Sequence, residues 1–215
     1  MDVLIDNLPT ILRGFGLTLR LLAVSGLVAL VLGVAVAAMR VAPVAAMRAV
    51  GTGYVTTIRN TPLVLMFLIL TQGVPVLIQG LSFFTLAVLA LGLYTAAFVA
   101  EAVRSGINAV NVGQAEAARA IGMGFGPTLR LIVLPQAVRS VIPPLASILI
   151  ALTKNTAIAE AFGLTEATYQ LDSLVRDFPT ALYPLFFGIA FGYILIVAVI
   201  AVVARVLERR LVVLR

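Results

Sequence analysis

Residues 116–135 read EAARAIGMGFGPTLRLIVLP, a charged, small-residue island in a chain otherwise suited to lipid. From Gln114 to Ile121 the residues are good helix formers, and Glu116 stands three positions before Arg119, the spacing of a helical ion pair. Gly122 follows in the position where glycine commonly ends a helix. Gly126-Pro127 suits the first turn of a second helix, which Pro135 is expected to interrupt. The stretch therefore predicts a helix–Gly–helix elbow presenting alanines and glycines, through which a partner's groove can approach the backbone closely. Glu116 would fix the register of such a partner.

The surroundings of the island make it unusual. Of 215 residues, 62% are hydrophobic and only 11% charged, with a mean hydropathy of +1.15. So few charges cannot cover a water-soluble domain, so the solvent is a bilayer and the chain an all-α membrane protein of one domain. With no cysteine and no histidine, the sequence offers no thiol chemistry, no disulfide and none of the commonest zinc ligands, and no metal site is expected. The net charge of +6 does not argue for nucleic acid, because the basic residues lie between apolar runs. Asp2 and Asp6 precede any base, so no cleavable signal peptide is expected.

Leu21 to Met39 is free of charge and flanked by Arg20 and Arg40, which is one span. Between Arg59 and Glu101 the uncharged run is too long for one crossing, and Gln72-Gly73-Val74-Pro75 with Gln79-Gly80-Leu81-Ser82 marks a turn within it. Ser140 to Ala159 is apolar except for Lys154, and Pro184 to Ala204 carries Gly188-x-x-x-Gly192, a close-approach face for another helix. Five spans follow, at about 15–39, 53–78, 81–104, 138–160 and 181–206, with the elbow at 112–135. Pro143-Pro144 constrains the start of the fourth. Five crossings place the termini on opposite sides. Arg40, Arg48, Arg59, Arg104, Arg119, Arg130, Arg139 and the four arginines of the tail fall on one side, against Arg13, Arg20 and Arg176 on the other. The positive-inside rule then expects the N-terminus outside and the elbow and C-terminus in the cytoplasm.

Glu-Ala-Ala, three residues, Gly122, nine residues and Ile132-x-Leu134-Pro135 resembles the coupling loop of the permeases of ATP-binding cassette (ABC) importers. Arg59-Asn60-Thr61-Pro62-Leu63, Tyr94 through Glu101 to Ile107, Gly113 to Arg119, Leu134-Pro135-Gln136-Ala137, Pro143-Pro144-Leu145 and Lys154-Asn155-Thr156 extend the likeness over about residues 15 to 210. These segments resemble the polar amino-acid subfamily, with details similar to glutamate or glutamine permeases. The resemblance implies a type I importer permease of five transmembrane helices in a bacterial cytoplasmic membrane. A cytosolic ATPase dimer, a second permease (identical or homologous) and an extracytoplasmic amino-acid-binding protein would be its partners. By the same resemblance Glu116, Ala117, Ala118, Gly122, Ile132, Leu134 and Pro135 couple the chain to the ATPase. Where relatives often carry Thr-Ser-Leu after the lysine, this chain has Thr156-Ala157-Ile158, so no serine contact carries over.

No G-x-x-x-x-G-K-[ST] phosphate loop occurs, so ATP and Mg are expected on the partner and not on this chain. Neither His-Glu-x-x-His nor Gly-x-Ser-x-Gly occurs, which leaves no warrant for a hydrolase or any catalytic residue.

Charges inside the apolar runs are the remaining candidates. A lysine near mid-membrane costs about 2.5–3.5 kcal/mol on insertion scales and usually faces a bundle interior or wet cavity. Lys154, with Asn155 and Thr156, either faces a substrate carboxylate or forms a fixed pair with Glu160, Glu101 or a neighbouring subunit. Glu160, six residues on, lies off the lysine's face of a regular helix. Arg59 and Thr61, ahead of Pro62, mark either a broken helix lining a transport cavity or an interfacial arginine beside an ordinary kink. Glu101 and Arg104 are placed to pair with each other or to anchor the elbow. Phe83, Phe84, Phe186 and Phe187 read as lipid-boundary packing. Two rival classes remain: a secondary transporter relaying ions through Lys154 and Glu160, and a non-transporting scaffold.

Overall fold

A computed structural model describes residues 2–211, and every described element is helical. After a single turn at Asp2–Asp6, the helices are α1 (Leu8–Val41), α2 (Ala45–Arg59), α3 (Leu63–Leu77), α4 (Phe83–Asn108), α5 (Val112–Ala120), α6 (Phe125–Phe162), α7 (Ala167–Asp177) and α8 (Leu182–Leu211). Among the described residues α1, α4, α6 and α8 are each long and apolar enough to cross a membrane, and α2 with α3 makes a fifth if the bent pair is one span.

That pair departs from the expected span at 53–78. The chain turns by 104° between α2 and α3, so residues 53–59 do not continue the axis of 63–77. The cause is local. The ring of Pro62 excludes Thr61 from helical geometry, and Pro62 itself adopts φ −60°, ψ 136°. Thr61 turns its hydroxyl back onto the Thr57 carbonyl, 2.9 Å away.

Pro75 and Pro135 act differently. Each follows a single wide turn with i→i+5 geometry, Ile69–Gly73 and Leu129–Val133, and the helix then runs on. A proline ring collides with the carbonyl four residues back and supplies no N–H to it. The wide turn moves that carbonyl aside, as π-bulges do. The expected interruption at Pro135 is therefore a bulge within a continuous helix. Pro143 and Pro144 likewise lie inside α6.

The core forms where α1 crosses α4. Leu21, Phe67, Leu91 and Leu152 are fully buried, and Phe67 stacks on Phe162 at 5.1 Å. Gly33 sits so close to Val99 that a Cβ there would lie 2.5 Å from its side chain. Without a hydrophobic force between helices in lipid, such small-residue contacts and buried polar bonds hold the bundle. Gly188 and Gly192 serve the same purpose internally, meeting Leu4 and Phe15 of the chain's own first helices.

The far end is fastened by Glu166, which has no exposed surface. It caps α7 by accepting from the Thr168 and Tyr169 N–H groups at 2.7 and 3.1 Å. Its other oxygen accepts from the hydroxyls of Tyr193 on α8 (2.6 Å) and Thr18 on α1 (3.1 Å). A buried carboxylate with four donors joins three helices. Glu166→Ala would orphan those donors and cost about 3 kcal/mol, with Glu166→Gln losing less. Thermal unfolding in detergent checks this: the alanine variant should melt well below the glutamine variant, which should melt below wild type.

Candidate functional site

Two features stand out: the elbow between α4 and α6, and a groove along the face those helices share. In the elbow, Asn111 caps α5 by accepting from Gly113 N–H at 2.8 Å. The helix ends on Gly122 at φ +86°, with Met123 N–H bonded to Ala118 and Gly122 N–H to Arg119, both at 3.0 Å. This is a Schellman stop, whose left-handed residue strains any side chain larger than glycine's. Of the expected coupling residues, Glu116, Ala117, Gly122, Leu134 and Pro135 are exposed, Ile132 is half-buried and Ala118 is buried against the turn that follows. Arg119 donates to the Ala115 carbonyl, and no Glu116–Arg119 ion pair forms among the described residues.

The elbow presents more than small residues. Ile121 and Phe125, flanking Gly122, are 80% and 81% exposed. In the sequence they look like ordinary apolar residues in an apolar chain, which hides them. Their signal lay in the company they keep, two bulky apolar side chains flanking Gly122 in an otherwise polar, small-residue segment. An exposed pair of that kind beside a small cavity of about 170 Å³ lined by Arg119, Phe125 and Leu129 has the form of a protein-docking surface.

The groove begins near Asn155, where a cavity of about 290 Å³ is lined by Tyr94, Thr95, Phe98, Ser147 and Asn155. It continues into a second cavity of about 300 Å³ bounded by Phe98, Glu101, Ser105, Ser140, Pro144 and Arg59. Phe98 and Ile148 line both. The stretch from Tyr94 on α4 to Ala109 just past its end, which lines the two cavities, covers about 22 Å of helix rise.

At the elbow end Glu101 gathers arginines from three helices. Arg40 of α1 bonds one carboxylate oxygen at 2.5 Å, and Arg104 bonds the other at 2.5 Å. Arg59, at the α2–α3 break, stands 3.8 Å away with its guanidinium over the Phe98 ring, 5.4 Å from the centroid. The expected Glu101–Arg104 contact is thus one part of a larger cluster. Arg40 appeared in sequence only as a charge flanking the first span.

The residues expected around Lys154 do not converge. Lys154 and Asn155 are neighbours in sequence and point about 100° apart on the helix. Asn155 lines the groove, whereas Lys154 is exposed in a separate cavity of about 290 Å³ with Thr168, Phe186 and Tyr193, between α6 and α8. Thr156 is buried, its hydroxyl donating to the Thr153 carbonyl at 2.6 Å. Among the described residues Lys154 forms no ion pair with Glu160 or Glu101. Arg59 and Asn155 share the groove; Lys154, Thr156 and Glu160 do not line it.

Residues 29–213 match the family of binding-protein-dependent transport system inner membrane components. The glutamate transport system permease protein GluC of Corynebacterium efficiens is 42% identical over 203 residues, covering 87% of this chain and 88% of that protein. The probable glutamine ABC transporter permease protein GlnM of Bacillus subtilis is 36% identical over 98% of this chain and 97% of its own length. The arginine transport system permease protein ArtQ of the same organism is 33% identical, over 96% of this chain and 94% of that protein. An amino acid ABC transporter crystallised with histidines superposes with a TM-score of 0.89 at 28% identity, over 96% of both chains. The permease of the methionine transporter MetNI shares the fold, with a TM-score of 0.80 at 20% identity over 97% of this chain and 99% of its own. The chain belongs to this permease family, and its fold is that of the type I ABC importer permeases.

The arginine cluster has a testable consequence for stability. Glu101→Ala leaves Arg40, only 12% exposed, without its carboxylate and should cost about 2 kcal/mol. Adding Arg40→Met should recover part of that loss, as measured by thermal shift of the purified protein in detergent.

Proposed function

We propose that this chain is the membrane subunit of an ATP-driven importer for a polar amino acid of the glutamate–glutamine group. Two such permeases face each other across their open α4–α6 grooves. The elbow lies in the cytoplasm, where it seats in a cleft of the partner ATPase, which holds ATP and Mg. A binding protein delivers the amino acid from the opposite side of a bacterial cytoplasmic membrane. The observation that carries this reading is the elbow: a rigid Schellman turn holding Ile121 and Phe125 out from the bundle, directly continuous with the two groove helices.

That continuity couples the elbow mechanically to the groove. α4 runs into α5 through a short connection, and the elbow's second limb is the first part of α6 itself, with the wide turn at Leu129–Val133 inside it. A pull on the elbow therefore acts on the elbow ends of both helices that line the groove. Closure of the ATPase would close or open the groove at Arg59 and Glu101, while the Glu166 junction holds the other end. Asn155, Thr95, Ser147 and Ser105 supply polar positions along the path.

An ion-driven transporter using Lys154 and Glu160 as a relay finds no support. Lys154 occupies a cavity outside the groove, and no Lys154–Glu160 ion pair forms among the described residues.

Gly122→Val forces a β-branched side chain into φ +86° and should collapse the elbow turn without disturbing the spans. In proteoliposomes with the ATPase and binding protein, uptake should fall by about an order of magnitude or more, while the permease still inserts. Phe125→Asp should do the same by spoiling the docking surface. Undiminished uptake in both variants would contradict the proposal.

A further inference from the structure

The side of α6 away from the cargo groove carries a second depression. Between α6 and α8 lies a cavity of about 310 Å³ with an entirely apolar lining, including Ile142, Leu145 and Leu149 of α6 and Val199, Val203 and Leu207 of α8. Resting on the permease reading above for its orientation, we propose that this groove seats an acyl chain of an anionic phospholipid. The lipid belongs to the cytoplasmic leaflet, and its phosphate is held at Arg139 and Arg210.

The position of the groove decides between lipid and protein. Ile142 and Ser140 are two residues apart on α6, as are Leu145 and Ser147, which puts the members of each pair about 160° apart around the helix. Ser140 and Ser147 line the cargo groove, the face turned to the second permease in the proposed assembly. The apolar groove therefore opens on the opposite side, toward the bilayer. Its α8 wall is uncovered: Val199, Val203 and Leu207 are 62%, 52% and 46% exposed. No side chain in the lining can form a hydrogen bond, so a polar ligand would lose its solvation there without return, whereas a hydrocarbon chain loses nothing.

Length and direction select one leaflet. Val199 to Leu207 covers about 12 Å of helix rise, against about 15 Å for the hydrocarbon of a single leaflet. α6 and α8 run antiparallel, since residues 154–157 of α6 share a cavity with 186–193 of α8 and residues 142–149 share this one with 199–207. The end at Ile142 and Leu207 is thus the elbow end.

Charge marks that same end. Arg139 stands one turn before Ile142 and Arg210 one turn past Leu207, each beside the groove face of its own helix. Both are exposed, and neither forms an ion pair among the described residues. Glu208, two residues before Arg210, lies about 160° away around α8 and does not offset it at the groove. Basic residues at the headgroup level of a cleft between spans favour anionic headgroups. A zwitterionic lipid could fill the same slot, but it would bring its own cation to the two arginines.

The test uses the full-length permease in mild detergent, titrated with phosphatidylglycerol and phosphatidylcholine of identical chains, with bound lipid read by native mass spectrometry. Wild type should retain phosphatidylglycerol about tenfold or more tightly than phosphatidylcholine. Arg139→Gln combined with Arg210→Gln should erase that preference. Arg209→Gln, about 100° from Arg210 around α8, should leave it intact. Val203→Phe, which narrows the groove from a half-exposed position, should weaken retention of both lipids. Equal retention by wild type, an undiminished preference in the double variant, its loss in Arg209→Gln, or unchanged retention in Val203→Phe would overturn the inference. A disulfide joining two permeases through Val203→Cys would also overturn it, by making the groove a protein interface. Should the double variant fail to fold, the wild-type order with Arg209→Gln and Val203→Phe decides. Co-purification with an ATPase is read separately: its absence counts against the permease reading, while the lipid preference stands or falls on the retention measurements.

Discussion

The carboxylate of Glu101 is the point on which the arrangement of this protein turns. One acid near the end of a long apolar helix draws Arg40 from α1 and Arg104 from its own next turn, and keeps Arg59 at the α2–α3 break within reach. Removing it would leave guanidinium groups gathered in a poorly solvated place with only one another for company, a costly arrangement at any depth in a membrane. With it, α1, α2 and α4 share a fixed corner. Two members of that corner, Arg59 and Glu101, also line the elbow-end cavity of the groove, while Arg40 and Arg104 lie outside it.

A second constraint is the demand that backbone groups in lipid be satisfied internally. Three prolines illustrate three outcomes. At Pro62 the preceding residue leaves the helix and the chain turns sharply. At Pro75 and Pro135 the helix widens for one turn and continues. The bulge before Pro135 lies in the first part of α6, between its elbow end and the residues that line the groove, so a strain on the elbow meets a turn already displaced from regular geometry. The Glu166 junction at the far end uses four hydrogen bonds to hold three helices, with no ion pair to Glu166 among the described residues.

How much of this was legible in the sequence depended on the length scale of the signal. Long uncharged runs announce spanning helices, and the spacing of Glu116, Gly122 and Pro135 announces an elbow, because each is a local pattern. The direction taken after Arg59 was not legible, since a proline in an apolar run reads equally as a kink or a break. Faces were harder still. In a soluble helix the polar side marks the solvent, but here lipid and core are both apolar, so nothing in the run around Lys154 says that Asn155 faces the groove and Lys154 faces away. Arg40 and Glu166 were hidden for a related reason. Each looks like an ordinary boundary charge until distant helices are brought against it, and their partners are 61 and 148 residues away in sequence.

On the proposed function, the α4–α6 face is the path of the cargo, worked from the elbow. The chain lacks cysteine, so a single introduced thiol reports its own surroundings without interference. Ser147→Cys and Ser105→Cys place thiols in the two linked cavities, and Leu195→Cys places one on the exposed outer face of α8. In the assembled transporter, a charged, membrane-impermeant thiol reagent should modify both groove positions, spare Leu195→Cys, and slow when the transported amino acid and ATP are present. Groove thiols that resist the reagent, or react at a rate that neither cargo nor ATP changes, would contradict the account.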